Sequence, residues 1–172
     1  MKFDPSIVQN TLASALGPIT VAATDRGLAG VWFAEQRHLP DNAPWPVQAD
    51  HPVLQKVEQQ LQQYFAGQRA SFDLPLDIRG GTAFQQAVWQ ALLQIPFAGT
   101  TSYSAISAQL GNPKAVRAVG AAVGRNPIGI VVPCHRVMGS DGSLTGYAGG
   151  LDRKAALLKL EAAATSPTRP GA

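Results

Sequence analysis

The sequence predicts an α/β protein of the α+β kind: a small N-terminal α/β unit with a β-hairpin, then a mainly helical C-terminal unit containing a helix-turn-helix. Three observations predict it. Two apolar runs, Ile19–Ala23 and Leu28–Phe33, flank the turn residues Asp25-Arg26-Gly27, which is a hairpin pattern. Apolar residues recur at helical spacing in both halves of the chain. Gly111-Asn112-Pro113 separates two short helical stretches by the tight turn of a helix-turn-helix.

Taken in order, Gly17-Pro18 opens the first strand, and Arg37–Pro52, rich in Pro, Asp and Asn, is a loop. Val53, Val57, Leu61 and Tyr64-Phe65 place an amphipathic helix over Pro52–Phe65, stopped at Gly67. Phe72, Leu74 and Leu76 alternate with polar or turn residues and predict a further short strand. Arg79-Gly80-Gly81 is the linker, dividing a scaffold unit, 1–80, from a second unit, 81–162. His38 and His51 fall in loops, and nothing in the first unit carries recognisable chemistry. Thr82 can cap a helix running through Phe84, Val88, Trp89, Leu92 and Leu93 to Pro96. A short helix follows over Ser104–Leu110, then another over Lys114–Val123 with a proline near its first turn. Gly139–Gly150 is a Gly/Ser-rich loop, Leu151–Glu161 a last helix, and 163–172 a disordered tail.

Composition narrows the function classes. No apolar run approaches the ~20 residues of a membrane span, and Met1–Asn10 has no apolar signal core, so no membrane role and no secretion are expected. One cysteine in 172 residues can form no internal disulfide, which suits a reducing cytoplasm, and the scattered His38, His51 and His135 offer no metal spacing. Residues 1–80 hold six Lys/Arg against eight Asp/Glu, net −2, whereas residues 81–172 hold eight against three, net +5. The basic side chains of the second half, Lys114, Arg117, Arg125, Arg136, Arg153 and Lys154, suggest a polyanion partner. In the third helix of this half Lys114 and Arg117, three apart, share a face, while Ala115, Ala118, Gly120, Ala121, Ala122 and Gly124 leave it almost without bulk. A major-groove reader needs several long polar side chains, so shallow, sequence-independent minor-groove contact is expected.

The chemistry centres on Ile130–Val137, I-V-V-P-C-H-R-V. A lone cysteine is usually a small buried hydrophobe. To act as a nucleophile Cys134 must become a thiolate, which needs a base or a positive environment. His135 is the obvious base, but on an extended backbone neighbouring side chains point to opposite faces, so a sharp turn or a bridging water is required. Glu161 is the best acidic group to orient the imidazole, with Asp141 and Asp152 as rivals.

These residues resemble the O6-alkylguanine-DNA alkyltransferases, also called methylated-DNA–protein-cysteine methyltransferases, whose P-C-H-R-V signature stands intact at Pro133–Val137. The similarity takes in F-Q-x-x-V-W at Phe84–Trp89, Ile95-Pro96, Thr101-Ser102-Tyr103, G-N-P-K-A-V-R-A-V-G at Gly111–Gly120, Asn126-Pro127, T-G-Y-A-G-G at Thr145–Gly150 and L-L-x-L-E at Leu157–Glu161. It covers essentially all of residues 82–161; the N-terminal half matches more loosely.

The resemblance implies transfer of an alkyl group from O6 of guanine, or from O4 of thymine, in double-stranded DNA to Cys134, by a monomer without cofactor or metal. Cys134 is then the nucleophile, His135 the base through a water, Glu161 its orienter, Asn126 the brace of the turn and Tyr103 the group that assists the leaving purine. Val137, Tyr147, Ala148 and Gly129 line the base pocket, although Gly129 replaces a proline and Ala148 a serine of some members. Arg117 is the finger that fills the extruded base's space, and Ser102, Tyr103, Asn112, Lys114, Ala115, Gly120 and Ser140 meet DNA. Three other readings compete: an alkylated-base binder without transfer, a helix-turn-helix regulator, and a thiol hydrolase or acyltransferase. The relatives of the first lack the cysteine, the second needs a side-chain-rich recognition helix, and the third an oxyanion hole.

Overall fold

The computed structural model of the chain describes residues 1–165. Its first unit is a three-stranded antiparallel sheet, β1 Val8–Leu12, β2 Ile19–Thr24 and β3 Gly27–Phe33, in the order β1-β2-β3. A bulge between Ala22 and Ala23 shifts the β2–β3 register. Helix α1, Pro52–Phe65, has the boundaries its periodicity predicts. His51 caps it, Nδ1 accepting from the Val53 N–H at 3.2 Å, so this loop histidine has a structural task. α1 buries Leu54, Val57, Leu61 and Tyr64 in the core.

The second unit begins with α2, Ala83–Leu92, under a Thr82/Gln85 capping box. Strand β4, Thr101–Ser102, leads into α3, Tyr103–Gln109, and α4, Val116–Gly124. β4 pairs in parallel with β5, Val137–Met138, setting the start of α3 beside the segment that carries Cys134. The Trp89 indole N–H donates to the Ala122 carbonyl at 2.8 Å and fixes α4 on α2. Helix α5, Leu151–Thr165, closes the fold.

One strand was not expected, and two expectations need correction. β1 was not legible, because V-Q-N-T-L has only two apolar residues; its ladder with β2 and the burial of Val8 and Leu12 make it a strand. The strand expected around Phe72–Leu76 reduces to one bridge, Leu28 to Leu76, since Pro75 has no N–H with which to extend a ladder. The tail expected from residue 163 is helical to Thr165, where the run Ala162-Ala163-Ala164 favours helix; the rest of the tail lies outside the described residues.

One continuous core runs through both units, joining Val31 and Tyr64 to Val88, Trp89, Ile128 and Leu157. Backbone pairing reinforces it: the Val31 N–H donates to the Pro127 carbonyl at 2.8 Å, and the Gly129 N–H to the Val31 carbonyl at 3.1 Å. Arg153 of α5 adds a clamp, lying over the Phe33 ring and donating to the Leu16 carbonyl at 3.0 Å. Gly129→Pro deletes the donor on which the buried Val31 carbonyl depends. A loss of about 1–3 kcal/mol is expected, seen as a lower urea midpoint at unchanged slope; an unchanged midpoint would contradict this role.

Candidate active site

The chain does not run extended through the cysteine. Cys134–Arg136 form one turn of 3-10 helix, entered from Pro133. Two residues shape the approach. Ile130 adopts φ 70°, a left-handed conformation that costs a β-branched residue about 1–3 kcal/mol and persists only where its surroundings impose it. Asn126 ties the backbone on either side of Ile130, its amide donating to the Val132 carbonyl at 2.8 Å and accepting from the Ile128 N–H at 3.0 Å.

Behind the turn lies a charge cluster out of contact with water. Glu161 on α5 is fully buried. Its Oε1 accepts from His135 Nε2 at 2.8 Å, from an Arg136 NH2 at 2.7 Å and from the Tyr64 hydroxyl at 2.9 Å. Its Oε2 accepts from Arg136 Nε at 3.0 Å and the Ala98 N–H at 3.3 Å. Burial alone would raise this carboxyl, but His135 and Arg136 overcome it and hold it down at about 2. An ionised carboxylate only accepts, so His135 carries its proton on Nε2. Nδ1, also buried, has no hydrogen-bond partner among the described residues. Of the three candidate carboxylates Glu161 is the one bonded to His135; Asp141 bonds Ser143 in an exposed loop, and Asp152 is exposed.

Cys134 and His135 rest in their uncharged forms. Burial pushes the thiol up, against an Asn126 hydrogen bond, the Lys154 charge and its own backbone N–H. Burial likewise pushes the imidazole down, and Glu161 offsets this only in part. Lys154 is fully buried, its ammonium donating to the carbonyls of Val137 at 2.5 Å, Thr145 at 2.8 Å and Gly146 at 3.1 Å. The Tyr103 hydroxyl donates to the same Thr145 carbonyl at 3.0 Å. The glycine-rich loop is therefore tied to α3 and α5 at once.

The thiol opens on a cleft of about 340 Å³ lined by Tyr103, Gly120, Tyr147 and Ala148, with Arg125 at its edge and Arg37 and His38 reaching in from the first unit. Val137 is fully buried in β5 and Gly129 pairs with Val31, and neither lines this cleft. Ser102 caps α3, accepting from the Ala105 N–H at 3.1 Å. Arg117, Asn112, Lys114 and Ser140 are exposed outside the cleft, and Ala115 precedes α4 without a side-chain cap. Lys114 lies in the turn before the helix, so the shared helical face expected for Lys114 and Arg117 does not exist. The expected basic surface also shrinks, because Arg136 and Lys154 are buried.

Sequence reasoning missed Tyr64, Lys154, Arg37 and His38. Lys154 had a signal: it is spaced three and seven residues from Leu157 and Glu161, on the buried face of α5. Tyr64 passed for core and the loop pair for surface, as nothing local marks a long-range partner.

Fold and site together define a class, a two-unit α+β protein in which a helix-turn-helix fronts a buried cysteine backed by a His–Glu pair. Residues 83–163 match the family model for the 6-O-methylguanine DNA methyltransferase DNA binding domain, and residues 7–78 that for its ribonuclease-like domain. Methylated-DNA–protein-cysteine methyltransferases of Mycobacterium tuberculosis and Methanosarcina barkeri are 49% and 46% identical, covering 88% and 87% of this chain and 90% and 94% of theirs. The crystal structure of the M. tuberculosis O6-methylguanine methyltransferase superposes with a TM-score of 0.84 at 46% identity, over 95% of this chain and 96% of that one. Its complex with DNA gives the same score over 92% and 95%. The chain belongs to the methylated-DNA–protein-cysteine methyltransferase family.

Two predictions test the cluster. Glu161→Gln leaves Arg136 buried without its counter-charge, and a loss of about 3–5 kcal/mol in urea unfolding at neutral pH is expected. His135 has a folded pKa below its ordinary 6.5, so the unfolded chain binds the proton first. Its share of stability is complete above 6.5 and lost as pH falls toward the folded value, with His38 adding in the same direction. The urea midpoint should fall between about pH 7 and pH 5; an equal fall in His135→Gln would exclude His135 as the source.

Proposed function

We propose that this protein repairs DNA by direct reversal, moving an alkyl group from O6 of guanine to Cys134. The observation that carries this reading is a thiol opening on a base-sized cleft under a helix-turn-helix, in one 3-10 turn with a buried His135 whose Nε2 bonds Glu161 and whose Nδ1 has no partner among the described residues. An O6-alkyl group inside a duplex is out of reach, so the nucleotide is extruded, at a cost of roughly a few kcal/mol that is least for a damaged pair.

With the base in the cleft, a water between Cys134 and His135 Nδ1 relays the thiol proton to the imidazole. Glu161 stabilises the resulting imidazolium through the hydrogen bond it already accepts from Nε2. The sulfur attacks the alkyl carbon, a C–S bond forms as the C–O bond breaks, and the electron pair leaves on the purine. Tyr103 assists by protonating or hydrogen-bonding that purine. Asn126 braces the turn, and Tyr147 and Ala148 shape the base pocket. Arg117 fills the vacated stack. The start of α4, which no side chain caps, with Ala115, Lys114 and Asn112 before it, suits phosphate contact, while Gly120 allows close approach of the backbone. Ser102 and Ser140 complete the DNA face. The working units are 1–80 and 81–162, and the compartment is the cytoplasm, where a lone thiol stays reduced.

The chain has no second cysteine to take the alkyl group onward from the thioether, so each molecule acts once. After incubation with duplex DNA containing O6-methylguanine, mass spectrometry should show a gain of one methylene on Cys134, at a stoichiometry near one. Sustained turnover, or no gain, would overturn the proposal. Cys134→Ser should keep DNA binding and lose transfer, as measured by gel shift and mass.

A further inference from the structure

The mechanism above gives no task to the buried hydroxyl of Tyr64. Tyr64 belongs to α1 of the N-terminal unit, 97 residues from Glu161 in sequence, and its hydroxyl donates to Glu161 Oε1 at 2.9 Å, the same oxygen that accepts from His135. We propose that Tyr64 is a positioning residue for alkyl transfer: from the N-terminal unit it holds Glu161 and sets how strong a base His135 is. This inference rests on the alkyl-transfer reading and deepens it.

Packing accounts for the ring but not for the hydroxyl. Tyr64 is fully buried, and its ring lies 5.5 Å from Phe65, 5.5 Å from Phe72 and 6.4 Å from Phe97, centroid to centroid, contacts a phenylalanine would make equally well. A buried hydroxyl is costly unless bonded, and this one is bonded to the carboxylate that orients the candidate base. Burial, and then the neighbouring carboxylate, raise its pKa far above the ordinary tyrosine value, so it stays a donor across the working pH range.

Glu161 Oε1 divides its charge among Tyr64, Arg136 and His135. Each competing donor reduces what the carboxylate offers an imidazolium. Charged and titratable groups around His135 are Glu161, which favours its protonation, and Arg136 and Lys154, which oppose it. Cys134 precedes it in the turn, and Tyr147 lines the cleft nearby. Within this set Tyr64 acts in the same direction as the two cations. It draws charge from the one oxygen bonded to His135 and keeps the imidazole neutral, ready to take a proton.

Tyr64→Phe keeps the ring and deletes the donor. Glu161 then accepts more strongly from His135, the base becomes stronger, and the acid limb of the transfer-rate profile moves up in pH. The ratio of the rate at about pH 6 to that at about pH 8.5 should fall roughly threefold or more. Replacing Tyr64 with 3-fluorotyrosine, a stronger donor, should move the limb the other way and decides the matter if Tyr64→Phe does not fold. Imidazole nitrogen NMR of His135 reads the same shift without any transfer, so a wild-type protein that fails to transfer would sink the alkyl-transfer reading alone. A limb and a His135 titration unmoved in every folded variant, with at most a drop in melting temperature, would reduce Tyr64 to packing and overturn the proposal.

Discussion

The buried carboxylate of Glu161 is the point on which the rest of the structure depends. Three separate segments donate to it where α5 carries it: α1 through Tyr64, the 3-10 turn through His135 and Arg136, and the Ala98 loop. An ion in such surroundings costs several kcal/mol to desolvate, so its donors must all be in place for the fold to be worth forming. A pair of this kind contributes little net stability. What it contributes is geometry, because removing any one segment takes a donor from the buried charge.

That constraint passes outward to the thiol. With Glu161 ionised, His135 has one compatible tautomer, and its Nδ1 is left without a hydrogen-bond partner among the described residues. Asn126 and the left-handed Ile130 hold the backbone that presents Cys134. Lys154 fixes the far wall of the cleft by occupying three carbonyls of the strand and loop that border it. Two buried ions of opposite sign, both on α5, thus frame a thiol that is itself uncharged at rest. An uncharged resting thiol resists adventitious oxidation and metal capture, and becomes a thiolate only as its proton leaves.

The DNA-facing side follows a different logic. α4 carries few side chains that can read base edges, and its Gly120 and Gly124 face the same cleft as the thiol. Such a helix discriminates little by sequence, which suits a protein that must find a lesion anywhere. The cleft itself is built by both units, the first contributing Arg37 and His38. The N-terminal unit is therefore more than a scaffold: it contributes to the cleft wall and to the charge cluster behind it.

Much of this was legible in the chain itself. Hairpin, α1, capped α2 and the helix-turn-helix follow from local rules of period, capping and turn chemistry, since each depends on residues close in sequence. The P-C-H-R-V signature and its companion motifs likewise pointed to the family, because a reactive cysteine needs particular neighbours. β1 and the failed strand at Leu76 were decided elsewhere, by a ladder partner and by a proline's missing donor. Tyr64 and Glu161, 97 residues apart, meet only in the folded molecule. Local sequence determined which elements form and which motifs mark the family; the tertiary structure alone decided which distant donors share one buried carboxylate, because a buried charge is satisfied by neighbours in space and carries no periodic trace in sequence.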